Sequence, residues 1–217
     1  MSKGKHKIDE QTAALLKDPA LYLNRELSQL EFNARVLAQA TDARVPLLER
    51  VRYLCITSAN LDEFFEVRVA TLREQLRLGA SKPGPDGIGA VELLEQIRTR
   101  VQTLVKAQYA CWNQELLPAL EREGIRFLPR DTWNAKQRKW LHHYFMHELL
   151  PVLNPHGLDP AHPFPRILNK TLNFIVLLKG TDAFGREGNM ALVRAPRSLP
   201  RIIRLPKEVS DGPYDFL

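Results

Sequence analysis

Apolar residues recur at every third or fourth position through most of residues 22–112, the spacing that places them along one face of an α-helix. Four such stripes are present, beginning at Leu23, Leu47, Leu61 and Val91. Between the third and fourth stripes, residues 79–89 contain four glycines and two prolines, which predicts a loop. Because amphipathic helices bury their apolar faces against one another, residues 1–122 are predicted to form an antiparallel helical bundle.

The pattern changes after Glu123 and Gly124. Four β-prone runs predict short strands at residues 125–128, 172–178, 190–195 and 202–205, and prolines interrupt the chain between residues 151 and 165. A capping box at Asn134 and Gln137 predicts one helix among them. We expect the last residues, GPYDFL, to lie exposed without a partner element, and we expect this domain to continue beyond residue 217. The predicted fold class is α+β, with residues 1–122 as a helical domain and residues 123–217 as part of an α+β domain.

Composition excludes several classes of protein. No apolar run reaches the ~18–20 residues that a membrane-spanning helix needs, and the first residues lack the apolar middle of a signal peptide. Cys55 and Cys111 both lie in apolar helical segments, which predicts buried, reduced thiols rather than a disulfide framework. Of the net charge of +6, five charges lie in residues 123–217. A basic region allows a polyanionic partner, although scattered charges more often form a solvated face.

Two groups of side chains are candidates for catalysis or metal binding. Three histidines near one another in sequence include a pair spaced i, i+4 that could bind a metal: His142, His143 and His147. No further ligand motif accompanies them, so packing or surface histidines are favoured. Three carboxylates could act in acid–base chemistry, although a charged cluster in the first turn of a helix is favoured: Asp62, Glu63 and Glu66. From the residues alone, neither group is assigned a catalytic or metal-binding role.

Asn60 directly precedes the third apolar stripe and is predicted to cap a helix that begins at Leu61. An asparagine oxygen accepts hydrogen bonds from the free N–H groups of a first helical turn. The same position suits a ligand, because a carboxamide offers a donor and an acceptor and a helix start attracts anions. From the residues alone the capping role is favoured, and the two roles do not exclude each other.

Longer runs of residues carry a family resemblance. Residues 22–37 (YLNRELSQLEFNARVL) and residues 46–75, which contain SANLDEFFEVR, resemble the N-terminal domain of class 1 polyphosphate kinases. Residues 124–153 and 159–178 resemble the start of the middle, or head, domain of that family. The resemblance implies an enzyme that transfers the terminal phosphate of ATP reversibly to polyphosphate through a phosphohistidine.

The resemblance also implies where the functional groups lie. The phosphorylated histidine and the Mg²⁺ ligands of the family belong to domains C-terminal to the head, so neither is expected in this chain. Asn60 matches the family's ATP-binding asparagine, whereas Tyr53 is expected to pack in the core rather than near the adenine. Expected partners are ATP, ADP and polyphosphate, with a homo-oligomer formed through the head domain. The expected location is the cytoplasm or the inner membrane surface.

A second hypothesis is a non-enzymatic adaptor, in which a helical bundle carries a basic α+β module that binds RNA or another polyanion. Single-stranded RNA recognition uses aromatic residues interleaved with Lys and Arg, as in RNP motifs. Residues 172–205 show no such pattern. We therefore favour the kinase hypothesis and expect no nucleic-acid partner.

Overall fold

The structure is a computed structural model that describes residues 10–79, 82–159, 163–181 and 190–217. The chain forms two compact units, which comprise residues 1–122 and residues 123–217. Helices dominate the first unit, and the second combines a helix with strands. The α+β fold class expected from the sequence is confirmed.

The first unit is built from helices that pack side by side. The α-helices in its described part are α1 (Glu10–Leu15), α2 (Arg25–Thr41), α3 (Leu47–Glu63), α4 (Ala70–Arg77), α5 (Ala90–Ala110) and α6 (Leu117–Arg122). Asn24 caps α2, because its Oδ1 accepts a hydrogen bond from the N–H of Leu27 at 3.0 Å. Helix α2 packs against both α3 and α5. None of the described helices is long and apolar enough to cross a lipid bilayer.

Helices α3 and α4 are one continuous helical rod, so the prediction of a helix that begins at Leu61 is wrong. A π-helical turn, Phe64–Val69, joins them. No glycine or proline interrupts the segment, and one buried face runs through it: Leu54, Thr57, Leu61 and Phe64. Because the π turn is wider than an α-helical turn, the next buried residue after Phe64 is Val69. Phe65 lies on the apolar stripe that begins at Leu61, which predicts that it is buried, but it is 43% exposed.

A second π-helical turn, Cys111–Leu116, joins α5 to α6. A proline at position 118 predicts that the helix ends or kinks there. The chain stays helical to Arg122, and the regular α-helix gives way to the π turn just before this proline. Pro118 closely follows this π turn, and its lack of an N–H removes one helical hydrogen bond there. Cys111 is buried as expected, whereas Cys55 is exposed, which contradicts the expectation for that thiol.

The core of the first unit lies between α2, α3 and α5. Its buried members come from all three helices and from the two π turns: Leu30, Leu37, Leu54, Leu61, Phe64, Ile97, Leu104, Cys111 and Leu116. Tyr53 packs against this core, as expected. Burial of these side chains is the main favourable contribution to the stability of the unit.

The second unit contains one α-helix and two small sheets in its described part. Its elements are β1 (Ile125–Phe127), α7 (Ala135–Tyr144), β2 (Asn154–Gly157), β3 (Asn173–Leu177), β4 (Met190–Arg194) and β5 (Tyr214–Phe216). The capping box at the start of α7 is confirmed, since Asn134 and Gln137 bond reciprocally at 2.9 and 3.0 Å. Strands β2, β4 and β3 form an antiparallel sheet in that order.

Three sequence expectations for the second unit are wrong. The final residues do have a partner, because β5 pairs in parallel with β1 and Phe216 stacks on Phe127. Residues 202–205 form no strand and contribute a single bridge from Arg204. The third is the irregular conformation that the prolines predict for residues 151–165, of which residues 160–162 lie outside the described residues: residues 154–157 form β2, which includes Pro155. A proline is tolerated there because β2 is an edge strand.

Candidate functional site

Asn60 lies inside α3 rather than at a helix start. Its backbone carbonyl accepts a hydrogen bond from the N–H of Phe64, as in a helix interior. The predicted capping role is therefore wrong, because the N–H groups that follow Asn60 are occupied by helical hydrogen bonds. Its side chain instead reaches α2, where Asn60 Nδ2 donates a hydrogen bond to Asn33 Oδ1 at 3.0 Å.

Asn33 continues this hydrogen-bonded chain into the core. It lies on the inward face of α2 and is 3% exposed. Its Nδ2 donates to the backbone carbonyl of Thr57 at 3.0 Å. Thr57 is fully buried, and its own hydroxyl donates to the carbonyl of Tyr53 at 3.0 Å. The carboxamide of Asn60 is thus tied to two helices through buried groups.

A small cavity of about 90 Å³ lies beside these two asparagines. Residues from α2 and from the α3 end of the rod line it: Gln29, Leu30, Phe32, Asn33, Asn60, Leu61 and Phe64. No lining residue is charged, so the cavity offers carboxamide groups on an otherwise apolar surface. The cavity is smaller than the roughly 300–1,000 Å³ of a typical ligand pocket, so it suits the polar edge of an uncharged ligand group rather than a whole ligand.

A buried ion pair lies farther along the contact between α2 and the rod. Glu26 is 7% exposed, and its Oε1 accepts hydrogen bonds from Nε of Arg68, at 3.2 Å, and from Nη2 of the same residue. Arg68 belongs to the π turn that follows Asn60. π-Helical turns within α-helices often occur at functional sites. The segment SANLDEFFEVR therefore supplies both Asn60 and a second polar link to α2.

A larger cleft, of about 290 Å³, lies near the starts of α2 and α5. Both acidic and basic side chains line it, among them Glu26, Arg68 and Asp86. Its acidic groups already have partners within the unit: Glu26 binds Arg68, and Asp86 accepts a hydrogen bond from Asn24 Nδ2 at 2.6 Å. Asn60, which the family resemblance singled out, does not line this cleft but lines the smaller cavity.

None of the other candidate groups is among the residues that line this cavity. The rings of His143 and His147 lie 4.2 Å apart between centroids, on an exposed part of the second unit. The three carboxylates expected in a first turn lie instead around the end of α3 and in the π turn, and all are exposed: Asp62, Glu63 and Glu66. Within the ranges that the structure describes, no three His, Cys, Asp or Glu side chains converge as metal ligands would. These residues do not fit a Mg²⁺ site.

Sequence reasoning missed Asn33. A signal for it exists, because Asn33 falls between Leu30 and Leu37 on the apolar stripe of α2. A carboxamide on the inward face of a helix must find buried partners, since leaving it unbonded costs free energy. Only the packing of α2 against α3 shows that the partners are Thr57 and Asn60.

Two domains of one known protein family together match nearly the whole chain. The polyphosphate kinase N-terminal domain matches residues 22–128, and the polyphosphate kinase middle domain matches residues 136–217. Both asparagines of the site lie within the first of these matches. Each compact unit of the structure thus corresponds mainly to one of the two family domains.

Individual polyphosphate kinases are also similar to this chain, in sequence and in structure. The chain is 58% identical to a polyphosphate kinase from Xylella fastidiosa over 202 residues, and 56% identical to one from Burkholderia ambifaria over 195 residues. These alignments cover 93% and 90% of this chain but only 29% and 28% of the relatives. The crystal structure of polyphosphate kinase from Porphyromonas gingivalis superposes with a TM-score of 0.74 at 30% identity, over 90% of this chain and 28% of that one.

Proposed function

The chain belongs to the polyphosphate kinase family, whose N-terminal and middle domains it carries, and we propose that it serves the phosphate transfer of a complete enzyme of that family. In this proposal the complete enzyme transfers the terminal phosphate of ATP reversibly to polyphosphate through a phosphohistidine. The chain spans less than a third of the length of the relatives it matches. Within that enzyme, this chain lines the ATP pocket and supports assembly of the enzyme.

The observation that carries this proposal is the position of Asn60 at an uncharged cavity. Its carboxamide, held by Asn33, stands beside apolar surface from Leu61 and Phe64. This surface suits the base or ribose of ATP, since the phosphates would need cationic partners that the cavity lining does not include. We therefore propose that Asn60 contacts the nucleoside part of ATP.

A variant of the complete enzyme tests this contact. Asn60→Leu keeps a side chain of similar size and removes the hydrogen-bonding groups, so the KM for ATP should rise about tenfold, the equivalent of roughly 1.4 kcal/mol of binding free energy. The matched control is Asn113→Leu, which changes an exposed asparagine of the same unit and should leave the KM unchanged. A folded Asn60→Leu enzyme with the KM of the parent would contradict the proposal.

The 217-residue chain alone is proposed to transfer no phosphate, because the family resemblance assigns the reactive histidine and the Mg²⁺ ligands to other domains. Incubation of the chain with radiolabelled ATP, Mg²⁺ and polyphosphate tests this. We expect no label on protein or on acid-insoluble polymer. Label on a histidine of this chain would show that the chemistry lies here after all.

We further propose that the second unit helps to form a homo-oligomer of the complete enzyme in the cytoplasm or at the inner membrane surface. Strand β3 supports this, because consecutive apolar residues that point to opposite faces are all exposed: Phe174, Ile175, Val176 and Leu177. A strand with two apolar faces is typical of one that is covered on both sides. Sedimentation of the complete enzyme should show a smaller particle when Ile175→Lys and Leu177→Lys are introduced together, and an unchanged mass would argue against this interface.

A further inference from the structure

The hydrogen bonds around Asn60 have a direction that the main chain of α3 determines. A backbone carbonyl can only accept, so the Asn33 atom that lies 3.0 Å from Thr57 O must be the donor Nδ2. Asn33 Oδ1 then faces Asn60, and this oxygen can also only accept. Asn60 must therefore direct its own Nδ2 at Asn33, as observed at 3.0 Å.

This direction leaves the oxygen of Asn60 available. Asn60 Oδ1 accepts no hydrogen bond from the residues that the structure describes. Among the described residues, the buried side-chain polar atoms that lack a hydrogen-bond partner do not include this oxygen. Because Asn60 lines the cavity, its oxygen is an acceptor that the site presents to a ligand, alongside the carboxamide of Gln29.

Asn33 occupies a position where packing alone would favour leucine. Its neighbours on the same helix face, Leu30 and Leu37, are 1% and 5% exposed. Asparagine is a weaker helix former than leucine, and burial of a carboxamide carries a desolvation cost that its hydrogen bonds must offset. A residue that conflicts with its surroundings in this way commonly marks a functional position.

We infer that Asn33 is a positioning residue that holds the oxygen of Asn60 toward the nucleotide, and that the nucleotide group it meets is a hydrogen-bond donor. This inference rests on the proposed contact between Asn60 and ATP. The donors that ATP offers are the amino group of adenine and the hydroxyl groups of ribose. The ionised phosphate oxygens and the ring nitrogens of the base accept hydrogen bonds, so they do not match this oxygen.

The first test is Asn33→Leu in the complete enzyme. Leucine fills a similar volume, and the carbonyl of Thr57 keeps its helical hydrogen bond, so the fold should be retained. Without Asn33 the carboxamide of Asn60 can rotate, and the KM for ATP should rise about tenfold while kcat changes less than about twofold. The control is Ala40→Gly, which weakens the same buried helix face without contact to Asn60 and should keep the parent KM.

A double-mutant cycle separates the two proposals. If Asn33 acts through Asn60, Asn33→Leu should add nothing to the KM of the Asn60→Leu enzyme. An unchanged KM in Asn60→Leu alone would overturn the proposed ATP contact and this inference with it. A raised KM in Asn60→Leu, combined with no effect of Asn33→Leu or with fully additive effects, would overturn only the positioning role.

Nucleotide analogues identify the donor. Purine riboside triphosphate lacks the amino group of adenine, and 2′-deoxy-ATP and 3′-deoxy-ATP each lack one ribose hydroxyl. We expect the parent enzyme to use one of these analogues about tenfold less efficiently than ATP, and we expect Asn33→Leu to abolish that difference. Equal use of ATP and all three analogues by the parent enzyme, or discrimination that persists in Asn33→Leu, would overturn the assignment of a donor.

Discussion

Arg126 donates two parallel hydrogen bonds to Asp215, from Nε to Oδ1 at 2.7 Å and from Nη2 to Oδ2 at 2.8 Å. The two residues lie on β1 and β5, which are far apart in sequence and adjacent in the parallel sheet. Asp215 is fully buried, and its Oδ2 also accepts hydrogen bonds from the Ser210 hydroxyl and from the N–H groups of Asp211 and Gly212. This carboxylate therefore links β5, the last strand of the second unit, to β1, its first strand.

The first prediction concerns acid stability. Burial raises the pKa of the Asp215 carboxyl, but the hydrogen bonds from Arg126, Ser210 and the main chain outweigh it and bring the pKa from 3.8 to about 2. Because the folded pKa lies below the unfolded one, the stabilisation is complete above about pH 4 and is lost as pH falls through about 2. The free energy of unfolding of the second unit should therefore fall by about 2 kcal/mol over that range.

Urea unfolding followed by tryptophan fluorescence and circular dichroism measures this loss. Asp215→Asn should be less stable at pH 7 and should show a weaker dependence on pH between about 4 and 2. Asp131→Asn, an exposed aspartate of the same unit, is the control and should behave as the parent does. Parallel pH profiles for the parent and Asp215→Asn would contradict this account of the carboxylate.

The second prediction distinguishes the observed role of Asn60 from a helix cap. Aspartate caps a helix as well as asparagine does, so a cap would tolerate Asn60→Asp. In the structure this change removes the donor to Asn33 Oδ1 and places a carboxylate against that oxygen. The free energy of unfolding should fall by about 1–3 kcal/mol. Thermal unfolding of the chain measures it, with Asn113→Asp on an exposed helical surface as the control; equal midpoints for the two variants would restore the capping role.

The third prediction compares a buried ion pair with an exposed one. Arg68→Met leaves Glu26 buried without its main partner and should cost about 3 kcal/mol. Arg100→Met breaks the pair with the exposed Glu31 and should cost less than about 1 kcal/mol. Chemical unfolding monitored by circular dichroism measures both. Adding Glu26→Gln to Arg68→Met should recover part of the loss, and similar costs for the two single variants would contradict the role of burial.

The fourth prediction concerns the domain boundary at residues 122 and 123. Residues 1–122 should fold alone into a largely helical unit, because the buried faces of α2, α3 and α5 cover one another. The far-ultraviolet circular dichroism of this segment should show helix and a cooperative thermal transition. A spectrum without helix, or helix that forms only when residues 123–217 are present, would refute the boundary.

Local patterns in the sequence determined most of the helical elements. Period-3.6 stripes placed α2, α3 and α5, and the capping box placed the start of α7, because these signals depend on neighbours within one or two turns. The family resemblance, and not these patterns, singled out Asn60 as the candidate site residue. Its capping role was inferred from the same local pattern, and this part was wrong.

Tertiary packing decided what local patterns leave open. An asparagine between two apolar stripes can cap a new helix or bond across to another helix, and only the position of Asn33 on α2 selects the second arrangement. The π turn after Asn60 likewise shifts which phenylalanine is buried, and a shift of one residue has no local signature. The pairing of β5 with β1 joins residues nearly ninety positions apart, as the 89-residue separation of Arg126 and Asp215 shows. Contacts of this range depend on the folded chain, because a buried polar group takes whichever partner the packing brings within hydrogen-bonding distance.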